Sequence, residues 1–345
     1  MAFRIVLPRK ADIIKQMELA AQKLSPRHSI ALLANDLQAT VHEPDGATPY
    51  PLRGRILPTD ELWSLAAGVK ERAAPQDVIF CTSEAGGFHL AAQYAGISRR
   101  PKIAIFIHNV DRPRTKAAMR LWRMQKSVDL FIVCSRHQQE FLQSYLNLPE
   151  DRVRFIYDHT DDQFFTPGPA SSTKRRPVIA SVGLEQRDYR TLALATSNLD
   201  VDVRISGFST DAKANSAFPD SLPANMERRF YEWPELVQLY RDADAVVVSC
   251  RENKYAAGVQ SLMEGSSCGR PVIATKTTGL RSYLDDSIVT INPDSPDEMA
   301  SAIRLVLSDP EHARKLAGAA LLTAQNRYKM DRYVNEISVM LRQLA

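Results

Sequence analysis

What this sequence has little of narrows the reading first. Its four cysteines, Cys81, Cys134, Cys250 and Cys268, lie far apart and none forms a C-x-x-C pair, so neither a zinc site nor a disulfide framework is signalled. Three of them end or follow apolar runs (DVIFC, DLFIVC, AVVVSC), where a buried thiol behaves as a small hydrophobe. No apolar run approaches the ~20 residues that span a bilayer. The stretch from Met1 reaches Pro8-Arg9-Lys10 before any long apolar segment, which predicts no signal peptide and a cytoplasmic chain with reduced thiols. Neither charge dominates: a formal +4 over 345 residues leaves only a local concentration of charge to point at a partner. No Asp-x-Asp ends a predicted strand, and Asp161-Asp162 and Asp285-Asp286 are adjacent pairs that point to opposite sides of an extended chain. The expectation is no bound metal and no cofactor.

What remains is an ordinary globular composition, 44% apolar and 24% charged, on a chain long enough for two domains. Short apolar runs alternate with stretches of helical period, the pattern of βαβ units around a parallel sheet. The first half predicts strands at Phe3–Leu7, Ser29–Leu33, Val78–Cys81, Lys102–Ile107, Leu130–Cys134 and Val153–Ile156. Helical stretches between them include Asp12–Lys23, Asp60–Arg72, Arg114–Lys126 and Gln138–Leu146. A Pro, Gly and Ser-rich run over 166–177 breaks the periodicity and reads as a linker. The alternation then restarts, with strands at Val178–Val182, Val201–Ser206, Met226–Phe230, Ala245–Val248, Pro271–Ala274 and Ile288–Ile291. The predicted organisation is an α/β chain with domains over 1–165 and 178–329, followed by a helix in 330–345 that packs back on the first.

Ligands of open α/β sheets bind beyond the carboxyl ends of strands, where loops run into helix N-termini that favour anions. The first strand of the second half ends in Ser181-Val182-Gly183 and continues to Arg187 and Arg190. Gly183 would let backbone approach a phosphate, and either arginine could bond it. After Ala245–Val248 comes a Gly-containing loop, Ala257-Gly258-Val259-Gln260, that opens a helix carrying Glu264 among apolar neighbours. A carboxylate there suits the two hydroxyls of a ribose.

The run from Gly258 to Gly279 resembles the donor-binding signature of the GT-B fold glycosyltransferases of family 4, the glycosyl transferases group 1. In that signature the pattern G-x-x-x-L-E-A-M-A-x-G-x-P-V-I-A-T-x-x-x-G recurs, with Glu264, Gly269, Pro271, Val272, Ala274, Thr275 and Gly279 in step. The loop Ser181–Leu192 resembles the V-G-L-E-x-R-D-Y-x-T-L form of the same family's phosphate loop. Ile107-His108-Asn109, the Ser135 to Leu142 segment and the Asp161 to Pro167 segment stand at similar spacings in the first half. Two departures stand out: Ala256 occupies the position of the family's first glutamate, and Leu184 that of its usual loop arginine.

The resemblance implies two Rossmann-like domains facing across a cleft and transfer of a sugar from a nucleoside-diphosphate-sugar to an acceptor, with retention and without a metal. It implies that Gly183, Arg187, Arg190 and Arg251 hold the diphosphate, with Arg187 in the metal's role. The Ala257 to Gln260 loop would meet the donor sugar and phosphates, and Glu264 the ribose. His108 would face the sugar as a catalytic residue, with Gly86, Gly87 and Asn109 on the acceptor side. Ala256 keeps open a non-catalytic nucleotide-sugar-binding protein, and the shared pocket keeps open another GT-B enzyme such as a nucleotide-sugar epimerase. The local concentration of charge runs from Arg112 to Lys126 with no acidic residue, and Trp122 lies within it. Such a helix suits an anionic membrane surface, a phospholipid-linked acceptor or simply solvent; no nucleic-acid recognition motif accompanies it. Localisation is then cytoplasmic, peripheral on the inner face of the membrane where the helix binds lipid.

Overall fold

Runs such as VIFC, LFIV and AVVV, uniformly apolar over four residues, suit strands covered on both faces, and each is a strand buried throughout. A computed structural model describes residues 1–45, 57, 60–110, 112–207 and 217–345. The chain forms two units. One comprises Met1–Met17, His28–Ile156 and Tyr333–Ala345, the other Glu18–Arg27 and Tyr157–Arg332.

The first unit holds strands β1 (Phe3–Val6), β2 (Thr40–His42), β3 (Val78–Cys81), β4 (Lys102–Ile107), β5 (Leu130–Val133) and β6 (Val153–Phe155). They form one parallel sheet in the order β2-β1-β3-β4-β5-β6, so the winding reverses between β1 and β3. Helix α1 (Ile13–Ala21) begins in this unit and ends in the other; α2 (Ser29–Leu37), α3 (Asp60–Arg72), α4 (Glu84–Gln93), α5 (Pro113–Leu121), α6 (Met124–Ser127) and α7 (Arg136–Leu146) follow. Trp63, Phe88, Ile105, Met119 and Phe131 meet in its core.

Three expectations change here. Ser29–Leu33 is not a strand but the first half of α2, which buries Ala31, Leu33 and Leu37 and stops at Gln38 with φ +49°. A run of four apolar residues, Ile30–Leu33, fits a strand or a buried helix face, and only packing chooses. The paired strand is instead Thr40–His42, on the β1 edge. The basic stretch is not continuous either: α5 ends at Leu121, Arg123 adopts φ +48°, and α6 begins at Met124. Helix α4 was hidden by its two glycines. A Cβ on Gly87 would lie 2.6 Å from Ile105, so a bare backbone there lets α4 settle on β4.

The second unit holds β7 (Val178–Val182), β8 (Asp202–Ser206), β9 (Met226–Arg228), β10 (Ala245–Val248), β11 (Val272–Thr275) and β12 (Ile288–Ile291). Their order, β12-β11-β10-β7-β8-β9, is again wholly parallel and reverses between β7 and β10. The covering helices are α8 (Tyr189–Thr196), α9 (Trp233–Asp242), α10 (Val259–Ser267), α11 (Pro296–Ser308) and α12 (Pro310–Arg327). Residues 166–177 lie inside this unit rather than between the two, since Thr166 is bonded by Arg241, Ser171 bonds Asp242, and Lys174 bonds Asp244. The last helix, α13 (Met330–Leu344), joins the first unit from Tyr333 onward, with Ser338 and Arg342 bonded to Asp36. All four cysteines are buried and free. Among the described residues no helix is long and apolar enough to cross a membrane.

Candidate functional site

The reversal between β7 and β10 splays the loops that follow those strands, which is where an open α/β sheet accepts a ligand. The loop after β7 turns at Gly183, whose φ of +101° suits glycine, and ends at Asp188, which caps α8 by accepting from the Thr191 N–H at 3.1 Å. The loop after β10 pairs with it. The Asp188 N–H donates to Ser249 O at 2.9 Å, and the Arg251 N–H to Gln186 O at 2.9 Å. It then turns at Gly258, φ +96°, directly into α10. A Cβ on Gly258 would sit 2.7 Å from Val248, so nothing but glycine brings the start of α10 this close to the strand.

Arg187 lies beneath both glycines, 4% exposed. Its Nε and Nη2 donate to Val182 O at 2.9 and 2.6 Å, and Nη2 also to Ser261 Oγ at 2.7 Å. Nη1 donates to Glu185 O and the Cys250 sulfur, both at 3.2 Å. All five N–H groups are therefore engaged by neutral acceptors, and no carboxylate is within ion-pair distance among the described residues. The guanidinium braces the two loops and leaves a buried positive charge uncompensated under them. Its donors are thus taken up within the protein, where the sequence had suggested that they would bond a phosphate directly.

Glu264 lies a turn beyond Gln260 on α10 and is 8% exposed. Its Oε2 accepts from the Tyr240 hydroxyl at 2.6 Å, while Oε1 makes no hydrogen bond among the described residues. Burial pushes this carboxyl up to about 7, against the opposing pull of the Tyr240 bond and the Arg187 charge. Tyr240 is placed by α9, which starts at a reciprocal capping box between Glu232 and Glu235 and buries Leu236, Val237 and Leu239.

Gly183, Arg187, Gln260, Ser261 and Glu264 line one cavity of about 470 Å³, within the range of small-molecule sites. Its other wall is apolar and aromatic: Phe230, 57% exposed, Trp233, 42% exposed, and Leu236. Of the remaining expected residues, Ala257 and Val259 are buried at the start of α10. Arg190 turns aside to Phe218 O at 2.8 Å and Asp220 at 3.3 Å, and neither it nor Arg251 lines this cavity. Sequence reading missed Tyr240, Phe230, Trp233 and Ser206, although Phe230-Tyr-Glu-Trp-Pro-Glu235 carries a helix-start signal flanked by exposed aromatics.

In the first unit, His108 and Asn109 follow β4, and the His108 side chain is more than half exposed. Gly86 and Gly87 are buried within α4. Trp122 packs half-buried against the core, edge-on to Trp63 at 6.1 Å, while Leu121 beside it is 60% exposed. Lys116 and Arg120 lie over the rings of Phe141 and Tyr145 at 5.1 and 4.5 Å. Among the described residues no three His, Cys, Asp or Glu side chains gather as a metal-binding group.

A parallel sheet whose strand-end loops gather two left-handed glycines, a helix N-terminus and one buried carboxylate around a cavity is of the Rossmann-like α/β class. Residues 18–164 match the family model for Glycosyltransferase Family 4 and residues 222–321 that for Glycosyl transferases group 1. The chain belongs to the GT-B glycosyltransferases of this group. A D-inositol 3-phosphate glycosyltransferase from Corynebacterium jeikeium is 28% identical over 242 residues, 58% of this chain and 57% of the relative. The protein of the same name from Xylanimonas cellulosilytica is 25% identical over 236 residues, 59% and 54%. The chain thus spans about half the length of the curated relatives it matches. The crystal structure of HepE from Anabaena in complex with UDP superimposes with a TM-score of 0.72 at 16% identity, over 99% of this chain and 100% of that one, a likeness of fold.

Proposed function

We propose that the protein transfers a glycosyl group from a nucleoside-diphosphate-sugar to a hydroxyl acceptor, with retention of configuration and without a divalent metal. The observation that carries this reading is Glu264: a buried carboxylate, one oxygen fixed by Tyr240, beside the first turn of α10 and the Gly183 loop. A ribose diol suits its other oxygen, a diphosphate suits the helix N-terminus, and Phe230 and Trp233 suit a nucleobase. HepE, whose fold this chain shares, is known bound to UDP and to UDP-glucose, which makes uridine donors the first to try. Charge builds on the leaving diphosphate as the anomeric bond breaks, and the α10 N–H groups and the Arg187 field oppose it. His108 is the residue proposed to act on the transferred sugar.

The test is release of nucleoside diphosphate from a panel of nucleotide-sugars, with the anomeric form of the product read by NMR. Turnover should survive exhaustive EDTA treatment. Loss of turnover restored by magnesium or manganese would remove the metal-free reading, and binding without release would favour a non-catalytic binder. Conversion of the donor to an epimer with no transfer would favour an epimerase.

The acceptor is proposed to lie at an anionic lipid surface, because Leu121 stands exposed beside Arg112, Arg114, Arg120, Arg123 and Lys126. Near-surface cations contribute about 1 kcal/mol each and are screened over roughly 10 Å in 0.1 M salt. Sedimentation with vesicles rich in anionic lipid should therefore be salt-sensitive and fall when Arg114, Lys116, Arg120 and Arg123 are changed to glutamine. Binding indifferent to those changes would make the helix a solvated one. Trp122→Ala is expected to cost stability instead, since that ring packs on the core.

A further inference from the structure

Glu84 is the first residue of α4, and its carboxylate reaches from the end of β3 to the loop that follows β4. Oε2 accepts the His108 N–H at 2.9 Å and Oε1 the Asn109 N–H at 3.2 Å. The same Oε2 stands 3.5 Å from His108 Nδ1. The Phe106 ring lies 4.9 Å from the imidazole, with Tyr333 of α13 edge-on to Phe106 at 6.1 Å, and Gln138 of α7 donates to the His108 carbonyl at 2.5 Å. Backbone and ring of His108 are therefore held from three elements, and the acid among these neighbours is Glu84. Burial pushes the Glu84 carboxyl upward, but the His108 ring and the backbone N–H groups outweigh it and hold the group below its ordinary range, ionised at neutral pH.

We propose that Glu84 is a positioning residue for His108: it draws the Nδ1 proton to itself, fixing the tautomer whose Nε2 is left to accept a hydrogen bond from a hydroxyl of the bound sugar or acceptor. The reasoning is that of any carboxylate behind a working imidazole, which selects one tautomer and stabilises the imidazolium. A contact of 3.5 Å in the unliganded protein tightens when substrate orders the ring. This inference rests on the proposed role of His108.

The experiment compares wild type with Glu84→Gln, which keeps shape and one acceptor, and with Glu84→Asp, which keeps the charge. Removal of the charge should lower the His108 pKa, read by NMR in the folded protein, by about one unit. The acid limb of the kcat profile should move down with it, and kcat should fall about 10- to 100-fold while the donor KM changes less than about twofold. Glu84→Asp should restore part of both. A His108 pKa and acid limb unmoved by Glu84→Gln overturn the proposal, because a residue that merely anchors the loop would move neither. Failure of the underlying reading looks different: His108→Ala would keep its turnover, whatever Glu84→Gln does to the His108 pKa.

Discussion

Arg187→Ala should lower the unfolding free energy by about 3 kcal/mol and weaken nucleoside diphosphate binding by about two orders of magnitude, with a far smaller effect on the bare nucleoside. The stability loss follows from geometry. Val182 O, Glu185 O, Cys250 and Ser261 all take hydrogen bonds from this one guanidinium, and a buried acceptor stripped of its donor costs about 1–3 kcal/mol. The binding loss follows from charge. Among the described residues no carboxylate is within ion-pair distance of the guanidinium, so removing it strips the positive field from beneath the Gly183 and Gly258 turns. Denaturant titration checks the first effect and calorimetry with nucleoside, monophosphate and diphosphate the second. Equal losses for nucleoside and diphosphate would mean that Arg187 braces the loops and does no more. Arg187→Lys keeps the charge but not the five-donor fork, and should recover more of the diphosphate affinity than of the stability.

Glu264→Gln is expected to make both stability and ribose recognition indifferent to pH where the wild type is not. The folded carboxyl titrates near 7, raised from an ordinary value of 4.5 by burial. Below pH 4.5 it is protonated folded or unfolded, and folding loses nothing. Between 4.5 and 7 the unfolded chain releases the proton and the folded one holds it, so stability falls as pH rises; above 7 the loss is complete. A shift of this size corresponds to about 3 kcal/mol. The glutamine variant, which does not titrate, should therefore gain on wild type by up to about that amount between pH 5 and 8 in the unliganded protein. Nucleoside binding runs the other way, because a ribose diol donates to the ionised form. Wild-type affinity should drop about tenfold per pH unit below 7, whereas the variant should bind ribo- and 2′-deoxyribonucleoside almost alike at every pH. A stability difference constant across that range would show that Glu264 titrates normally, and a ribose preference untouched by the change would remove it from the ribose.

The strands and the two-sheet architecture were legible because parallel strands covered on both faces must be apolar along their whole length, and few helices present such runs. Val78–Cys81, Lys102–Ile107, Val178–Val182, Ala245–Val248 and Ile288–Ile291 fall where the apolar runs place them. Ser29–Leu33 failed because its four apolar residues, Ile30–Leu33, carry no period, and α4 escaped because two glycines lower helix propensity whatever the packing rewards. The carboxylate of Glu264 could be suspected from its place in the Gly258 to Gly279 run. The Tyr240 hydroxyl on it could not, since that contact joins positions 24 residues apart, one on α9 and one on α10.

Sequence alone determined the residue chemistry and its local frame: two α/β halves, glycines at the two strand-end turns, a helix opening at Gly258, and a family signature across Gly258 to Gly279. Only tertiary structure decided what each side chain does there. Arginine in a loop reads as a surface cation, yet the turn at Gly183 folds Arg187 back under its own strand, where every donor is spent on backbone, sulfur and hydroxyl. Arg190, three residues on, leaves for Asp220. The difference is one of direction: sequence spacing sets how far a side chain can reach, but the sheet's winding order and the pairing of the β7 and β10 loops set where it points, and those are properties of strands far apart in the chain.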